Sequence, residues 1–199
     1  MKQKISRIII VLLILGFNES YAKESVVLNA AKTEIQRFMS ELKFQPNPPY
    51  FIGYGITETK GIDIAASMGK IITDNDVFNR ILDVDLRVGD YKFGMYYGVG
   101  LTMLPIEDDE QALRNAIWYA TDKKYKDAIE RYEKAQTNAK VKVKEEDTSA
   151  DFSKADVNIY YGDEINFEYD RELLKQKARK VSELFAMYDW IFTGYVGIN

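Results

Sequence analysis

The stretch RILDVDLRVGDY contains three charged side chains whose types and spacing could support catalysis or metal binding. Asp83, Asp85 and Arg87 alternate with apolar residues, so in a β-strand they project from one face at intervals of about 6.6–7 Å. Two carboxylates at that distance could hold Ca²⁺ or act as an acid–base pair. The neighbouring arginine, and the frequent solvation of one side of an antiparallel sheet, favour the solvated face of a half-buried strand instead.

Two further acidic runs have simpler explanations than metal binding. Residues 107–110 precede a long helical pattern, in which Asp108 is the predicted N-cap and Gln111 completes a capping box. Residues 145–147 lie in a charged connector without the glycine-punctuated loop of an EF-hand. We therefore predict no metal site at either run.

Tyrosine is frequent, with 14 residues in 199, and three tyrosines lie in the glycine-rich segment 89–103. Tyr91, Tyr96 and Tyr97 could form a surface that binds a peptide, a glycan or another small ligand, or they could close the end of a sheet core. The segment itself could be a loop over the sheet or a twisted edge strand, and the sequence leaves both open.

The residue types that are absent exclude several kinds of catalytic site. The chain contains neither histidine nor cysteine, so it cannot by itself build a Ser-His-Asp or Cys-His centre or a zinc site of the His/Cys type. An autonomous enzyme would have to transfer protons with carboxylates, lysine, tyrosine or serine. We predict no catalytic residue, cofactor or metal site, and keep a carboxylate-based hydrolase as the alternative.

The first 22 residues have the composition of a secretory signal peptide. A basic start is followed by an apolar run over residues 8–17 and a small-x-small cleavage motif, SYA. The apolar run is much shorter than the ~20 residues of a membrane span, although an uncleaved anchor remains an alternative. We expect cleavage after Ala22, a periplasmic or secreted location, and no stable membrane span in the mature chain.

The charge balance bears on the class of partner. Removal of residues 1–22 takes three of the 27 cations and one of the 31 carboxylates, which leaves a net charge of −6. Such a chain repels phosphate backbones, so we expect no nucleic-acid partner. An exported chain without disulfides depends on packing alone for its stability, which fits the periplasm.

Hydrophobic periodicity changes from helix to strand along the first half of the chain. A helical pattern over residues 24–43 ends at a proline cluster, and a two-residue alternation begins at Tyr50. We predict four alternating segments with turns at residues 60–61, 69 and 74–76. Short turns between such segments indicate an antiparallel meander with one buried face.

The second half predicts two helices, two strands and a connector. The first of these two helices, which begins at Asp108, is long enough that it could break near Thr121. Helices that are segregated from an antiparallel sheet indicate an α+β fold, with a β-meander packed against amphipathic helices in one domain over residues 23–199. The elements are a helix from Asp108 to about residue 135, a charged connector over 138–156, a strand over 157–161, a helix capped by Asp170, and an apolar strand over 190–198.

Three blocks of this sequence resemble the N-terminal region of the metallopeptidase-related TldD/PmbA family. They are RILDVDLRVGDY, LPIEDDEQALRNAIWYATDKKYKDAIERY and VKVKEEDTSADFS, and the similarity, which is to an exported branch, runs from about Pro48 to the end. The resemblance implies an α+β domain that leads, in full-length relatives, into a C-terminal half with a His/Glu zinc motif. Without histidine, none of that family's metal-binding residues can be placed on this chain.

The combined expectation is an exported, non-catalytic domain that is a truncated or split TldD/PmbA-like subunit. Its expected partners are a separate C-terminal half, a TldD/PmbA-like partner subunit, or an extended polypeptide held by β-augmentation. The apolar final strand supports this, because it needs a neighbour inside the sheet or from another chain. Two alternatives belong to other classes, a carboxylate-based periplasmic hydrolase and a tyrosine-lined protein that binds a small ligand.

Overall fold

The chain folds as a four-stranded antiparallel sheet with helices, which confirms the α+β prediction. The predicted signal peptide, Tyr96, Tyr97 and most of the connector lie outside the described residues. The computed structural model describes residues 25–91, 100–139, 150, 152–154, 156–165 and 167–199. The elements are α1 (Val26–Leu42), β1 (Pro49–Ser67), β2 (Lys70–Val88), β3 (Thr102–Met103), α2 (Glu110–Ala139), α3 (Arg171–Ser182), a 3-10 helix (Glu183–Met187) and β4 (Tyr195–Ile198).

The sheet is built on one long hairpin rather than on four short meander strands. β1 and β2 are 19 residues each and pair along their whole length. The turns predicted at residues 60–61 and 74–76 are wrong, because both stretches lie inside the strands, where the cross-strand ladder overrides local turn propensity. The predicted turn at Gly69 is confirmed: Met68 and Gly69 have φ of 47° and 78°, the signature of a two-residue type I′ turn.

The strand order is β3-β2-β1-β4, so β4 is the outermost strand on one side. The predicted final strand is confirmed in part. Only Tyr195–Ile198 pairs, antiparallel to the Ile64–Ser67 end of β1, whereas residues 190–194 turn towards it. The strand predicted over residues 157–161 is wrong, because that stretch has no strand neighbour among the described residues.

The core lies on one face of the hairpin, in two parts. Near the open end of the hairpin, α1 and α2 cover the inward residues of β2. Near the turn end, α3 packs through Leu174 and Ala178 on Ile62, Ile64 and Ala66. The inward residues of β2 that α1 and α2 cover, all almost completely buried, are Leu82, Val84, Leu86 and Val88.

The helix boundaries mostly follow the sequence signals. The helix predicted over residues 24–43 is α1, and Asp170 caps α3 by accepting a hydrogen bond from the Leu173 N–H at 2.9 Å. α2 continues through Thr121 without a break. The Thr121 hydroxyl donates a hydrogen bond to the Ile117 carbonyl, one turn earlier in the same helix, at 2.8 Å. Among the helices of the described residues, none combines the length and apolar composition needed to cross a bilayer.

Candidate functional site

The acidic row of β2 lies on the face of the sheet opposite the helices, and its side chains are half-buried rather than freely solvated. Arg87 donates to both carboxylate oxygens of Asp85, from Nε at 3.1 Å and from Nη2 at 2.6 Å. Asp83 accepts a longer hydrogen bond, 3.3 Å, from the Gly100 N–H. Because the guanidinium engages both oxygens of Asp85, these two acids do not form the acid–base pair or calcium site that their spacing allows.

The contacts of Arg87 also show why the side chains of this row are half-buried. Its guanidinium lies over the rings of Phe51 and Phe152, 4.7 Å and 4.1 Å from their centroids. The Phe152 N–H donates to the Tyr91 carbonyl at 3.1 Å, which holds this part of the connector against the back of the sheet. The row therefore has a structural role, in which a cation–π sandwich anchors a distant segment.

A buried arginine that the sequence analysis does not single out organises the start of α2. Arg80 is 3% exposed and binds the carboxylates of Glu58 at 2.6 Å and Asp108 at 2.8 Å. Its Nη1 donates to the Pro105 carbonyl at 2.7 Å. The helix cap is not Asp108, as predicted, but its neighbour Asp109, which accepts a hydrogen bond from the N–H of Ala112, the third residue of α2, at 2.7 Å. A charged residue at an inward position of a strand is the signal that could have identified Arg80.

A second buried cluster joins α1 to α2. Glu34 is 2% exposed and binds Arg37 at 2.7 Å and Arg114 at 2.8 Å. Close by, the hydroxyls of Tyr54 and Thr121 are 2.6 Å apart, and burial raises the pKa of Tyr54. Because these polar groups bind one another, the cluster stabilises the helix pair and presents no site for a substrate.

The remaining predicted binding residues do not assemble into a site. Among the described residues, no three acidic side chains are close enough to hold a metal ion. Tyr91 packs against Tyr50, with ring centroids 4.7 Å apart. Tyr96, Tyr97 and the acidic run 145–147 lie outside the described residues, so the tyrosine-lined surface stays a prediction.

The surface that stands out is a run of large apolar side chains beyond α3. Six of the twelve residues from 184 to 195 are large apolar or aromatic side chains exposed to solvent, among them Trp190 at 72% and Phe192 at 92%. Single exposed apolar residues are ordinary, whereas a cluster of them marks an interaction site. We call this surface the C-terminal apolar patch, and it comprises Leu184, Met187, Tyr188, Trp190, Phe192 and Tyr195.

The C-terminal apolar patch is tied to the turn end of the hairpin. The Gly69 N–H donates to the Ser182 hydroxyl at 3.0 Å, and the Ser67 hydroxyl donates to the Gly194 carbonyl at 2.8 Å. Gly194 lies so close to the Phe185 ring that a Cβ there would be 2.6 Å from it. These contacts anchor both ends of the stretch that carries the patch to the hairpin turn.

The edge of the sheet continues the C-terminal apolar patch. β4 pairs with β1 on one side, and its other side has no strand neighbour among the described residues. Residues 190–199 contain no charged residue and no proline, so this edge lacks two of the devices with which proteins block edge pairing, although β4 is short, at four residues. An open edge beside exposed aromatic rings suits a polypeptide that adds a strand.

Comparisons with known proteins leave the family open. The chain matches no family model, no curated protein and no solved structure. The TldD/PmbA resemblance therefore rests on the three sequence blocks alone and stays a prediction. The function must be argued from the surfaces that the fold exposes and from the side chains that it buries.

Proposed function

We propose that this chain is an exported, non-catalytic domain that binds a second polypeptide through the C-terminal apolar patch and the open edge of β4. The exposure of the patch is the observation that carries the proposal. Full burial of one large apolar side chain is worth about 1.5–3 kcal/mol, so a partner that covers several of these rings gains a substantial driving force. Without a partner, the same rings favour aggregation.

The chemistry of the patch specifies the kind of partner. The partner is a protein with an apolar surface and an extended strand, because only a backbone supplies the N–H and C=O groups that the edge of β4 requires. Within residues 184–199 the only charged side chain is Asp189, so the partner surface is also largely uncharged. The TldD/PmbA resemblance implies one such partner, a separately encoded C-terminal half with the family's metal site.

The side chains that could have supported catalysis have other partners. Asp85 is bound by Arg87, and Asp108 and Glu58 are bound by Arg80. With no histidine or cysteine in the sequence, proton transfer would depend on carboxylates, lysine, tyrosine or serine. These contacts favour a binding role over the alternative of a carboxylate-based hydrolase.

The proposal is tested by mixing the purified, processed chain with a TldD/PmbA-like C-terminal subunit encoded beside it. We expect a stable complex by size-exclusion chromatography with light scattering. The double change Trp190→Ser and Phe192→Ser should weaken association at least tenfold, because it removes two exposed rings without touching the core. Tyr119→Ser is the control, since Tyr119 is also an exposed aromatic residue, at 62%, but lies on α2. Failure to associate at any concentration contradicts the proposal.

A further inference from the structure

Between the two parts of the core, β1 is exposed on both faces of the hairpin. The part of the core under α1 and α2 ends at Ile56 of β1, the part under α3 begins at Ile62, and the two parts share no residue. Between them, Thr59 and Gly61 are exposed on the face opposite the helices, and Lys60 is exposed on the helix side. Two strands without a packed face are only marginally stable by themselves, so this stretch contributes little packing that would hold the two parts in one orientation.

Charged contacts fasten the two ends of this exposed stretch to different helices. At one end, Arg80 binds the Glu58 carboxylate across the ladder at 2.6 Å and also binds the segment just ahead of α2. At the other end, Arg171, the first residue of α3, binds Asp74 at 2.7 Å and Asp76 at 2.8 Å. The hairpin is therefore joined to α2 on one side of the stretch and to α3 on the other.

Three cross-strand pairs lie between the fastened ends, and we call them the bare ribbon. They join residues 59–61 of β1 to residues 77–79 of β2. The aromatic ring of the ribbon, Phe78, lies 6.0 Å from the Lys60 ammonium and 5.5 Å from the Arg80 guanidinium. Lys60 also binds Glu164, but these side chains are 64% and 68% exposed, and such surface pairs contribute little to stability. The ribbon can therefore change its twist at low cost, because strand twist varies most in two-stranded ribbons.

We propose that the bare ribbon is a twist hinge between two halves of the domain, one built on α1 and α2 and the other on α3 and β4. The charged contacts at its ends keep each helix on its own side, so a change in ribbon twist alters the angle between α2 and α3 while both parts of the core stay intact. The C-terminal apolar patch follows α3 in the chain, so the hinge sets the orientation of that patch relative to α1 and α2. This inference does not depend on which polypeptide covers the patch.

Distances between pairs of spin labels test the hinge, and the absence of cysteine from the chain means that labels attach only to introduced cysteines. The labelled positions are exposed: Gln36 on α1, Glu130 on α2, and Lys177 on α3. We expect the distance distribution of Glu130→Cys with Lys177→Cys, which spans the ribbon, to be at least about twofold wider than that of Gln36→Cys with Glu130→Cys. Lys70→Cys with Lys177→Cys is the control within the other half. A distribution across the ribbon as narrow as both controls would overturn the proposal.

A substitution that stiffens the ribbon gives a second, independent test. Gly61→Val adds a β-branched side chain where nothing lies within 4 Å of the new Cβ, and it restricts the backbone. It should narrow the distribution across the ribbon and leave those within each half unchanged. Gly55→Val is the matched control, at an exposed glycine on the same face of β1 but outside the ribbon. Equal widths in wild type and Gly61→Val, or equal narrowing by both variants, contradict the hinge. If Gly61→Val does not fold, the comparison of the wild-type label pairs decides alone.

Discussion

At the scale of single residues, the informative side chains are the charged ones that the fold buries. Arg80 and Glu34 are almost inaccessible, yet each binds groups from another element. Such groups are costly to desolvate and contribute when their partners fix one geometry. Here they hold the segment before α2 and join α1 to α2, so the two most buried charged side chains of the described residues stabilise the fold.

Replacement of Arg80 by methionine tests that scaffold role. Arg80→Met leaves the Pro105 carbonyl and the carboxylates of Glu58 and Asp108 without their donor. We expect a loss of about 2 kcal/mol in unfolding free energy, measured by urea denaturation, in line with the removal of one partner from a buried polar group. The control is Arg179→Met, at an exposed position of α3, which should cost less than about 0.5 kcal/mol. Equal losses in both variants would refute the role of Arg80.

The hairpin turn predicts that one substitution raises the stability of the fold and that a neighbouring one lowers it. Met68 has a positive φ of 47°, which asparagine tolerates better in a type I′ turn, so Met68→Asn should stabilise by about 0.5–1 kcal/mol. Gly69→Ala should destabilise, because its φ is also positive and the new Cβ would lie 2.7 Å from Glu183 Cγ. Gly61→Ala is the control, as nothing lies within 4 Å of a Cβ there. Thermal melts that place the first two variants on the same side of wild type would contradict this turn geometry.

At the scale of elements, α3 is the helix most dependent on charge for its position. Lys175 and Arg171 bind Asp74 of β2 at 2.9 Å and 2.7 Å, and Arg171 also binds Asp76 at 2.8 Å. These cations, Lys175 first, lower the pKa of Asp74. Since α3 holds the 3-10 helix and the chain leading to β4, this network also positions the C-terminal apolar patch.

The lowered pKa of Asp74 predicts acid sensitivity at the turn end. The folded pKa lies below the unfolded one, so the stabilisation is complete above the unfolded value and is lost as pH falls through the folded value. Unfolding free energy should therefore decrease from about pH 5 downwards, and Asp74→Asn should flatten that decrease. Asp127→Asn, at an exposed position of α2, serves as the control. Amide exchange of α3 measures the same loss of stability locally. Identical pH profiles of unfolding free energy for wild type and Asp74→Asn would disprove the role of Asp74.

The elements also show how much of the fold the sequence predicts. Periodicity and caps predict α1, the Gly69 turn, α3 and the end of the chain as a strand, because these depend on local residues. The single long hairpin is not predicted, since the ladder between β1 and β2 places the turn-like residues 60–61 and 74–76 inside strands. The strand at 157–161 fails for the opposite reason: its local pattern is right, but no neighbouring strand is present among the described residues.

The candidate surfaces are less predictable than the fold. The acids of β2 attract attention by spacing alone, yet Arg87 engages Asp85 in a way that only the register across the sheet reveals. The sequence does not predict the C-terminal apolar patch either, because exposure also depends on the packing of distant residues. Trp190 and Phe192 are of residue types that usually lie in the core, and only the structure shows that they are exposed.

At the scale of the whole molecule, the sheet is covered by helices on one face, and its apolar surface continues past the covered part. α1, α2 and α3 account for the inward side of the hairpin. The C-terminal apolar patch remains exposed and is uncharged apart from Asp189. An exposed apolar surface of this kind supports the proposal that a second polypeptide binds here.

Burial of Trp190 is the measurement that tests this account most directly. The chain has two tryptophans, so Trp118→Phe leaves Trp190 as the sole indole reporter. In the free chain its fluorescence should be that of a water-exposed indole, and titration with the partner subunit proposed above should shift the emission to shorter wavelength and protect it from iodide quenching. An emission that stays unshifted and fully quenchable at saturating subunit would contradict the claim that this surface binds a second polypeptide.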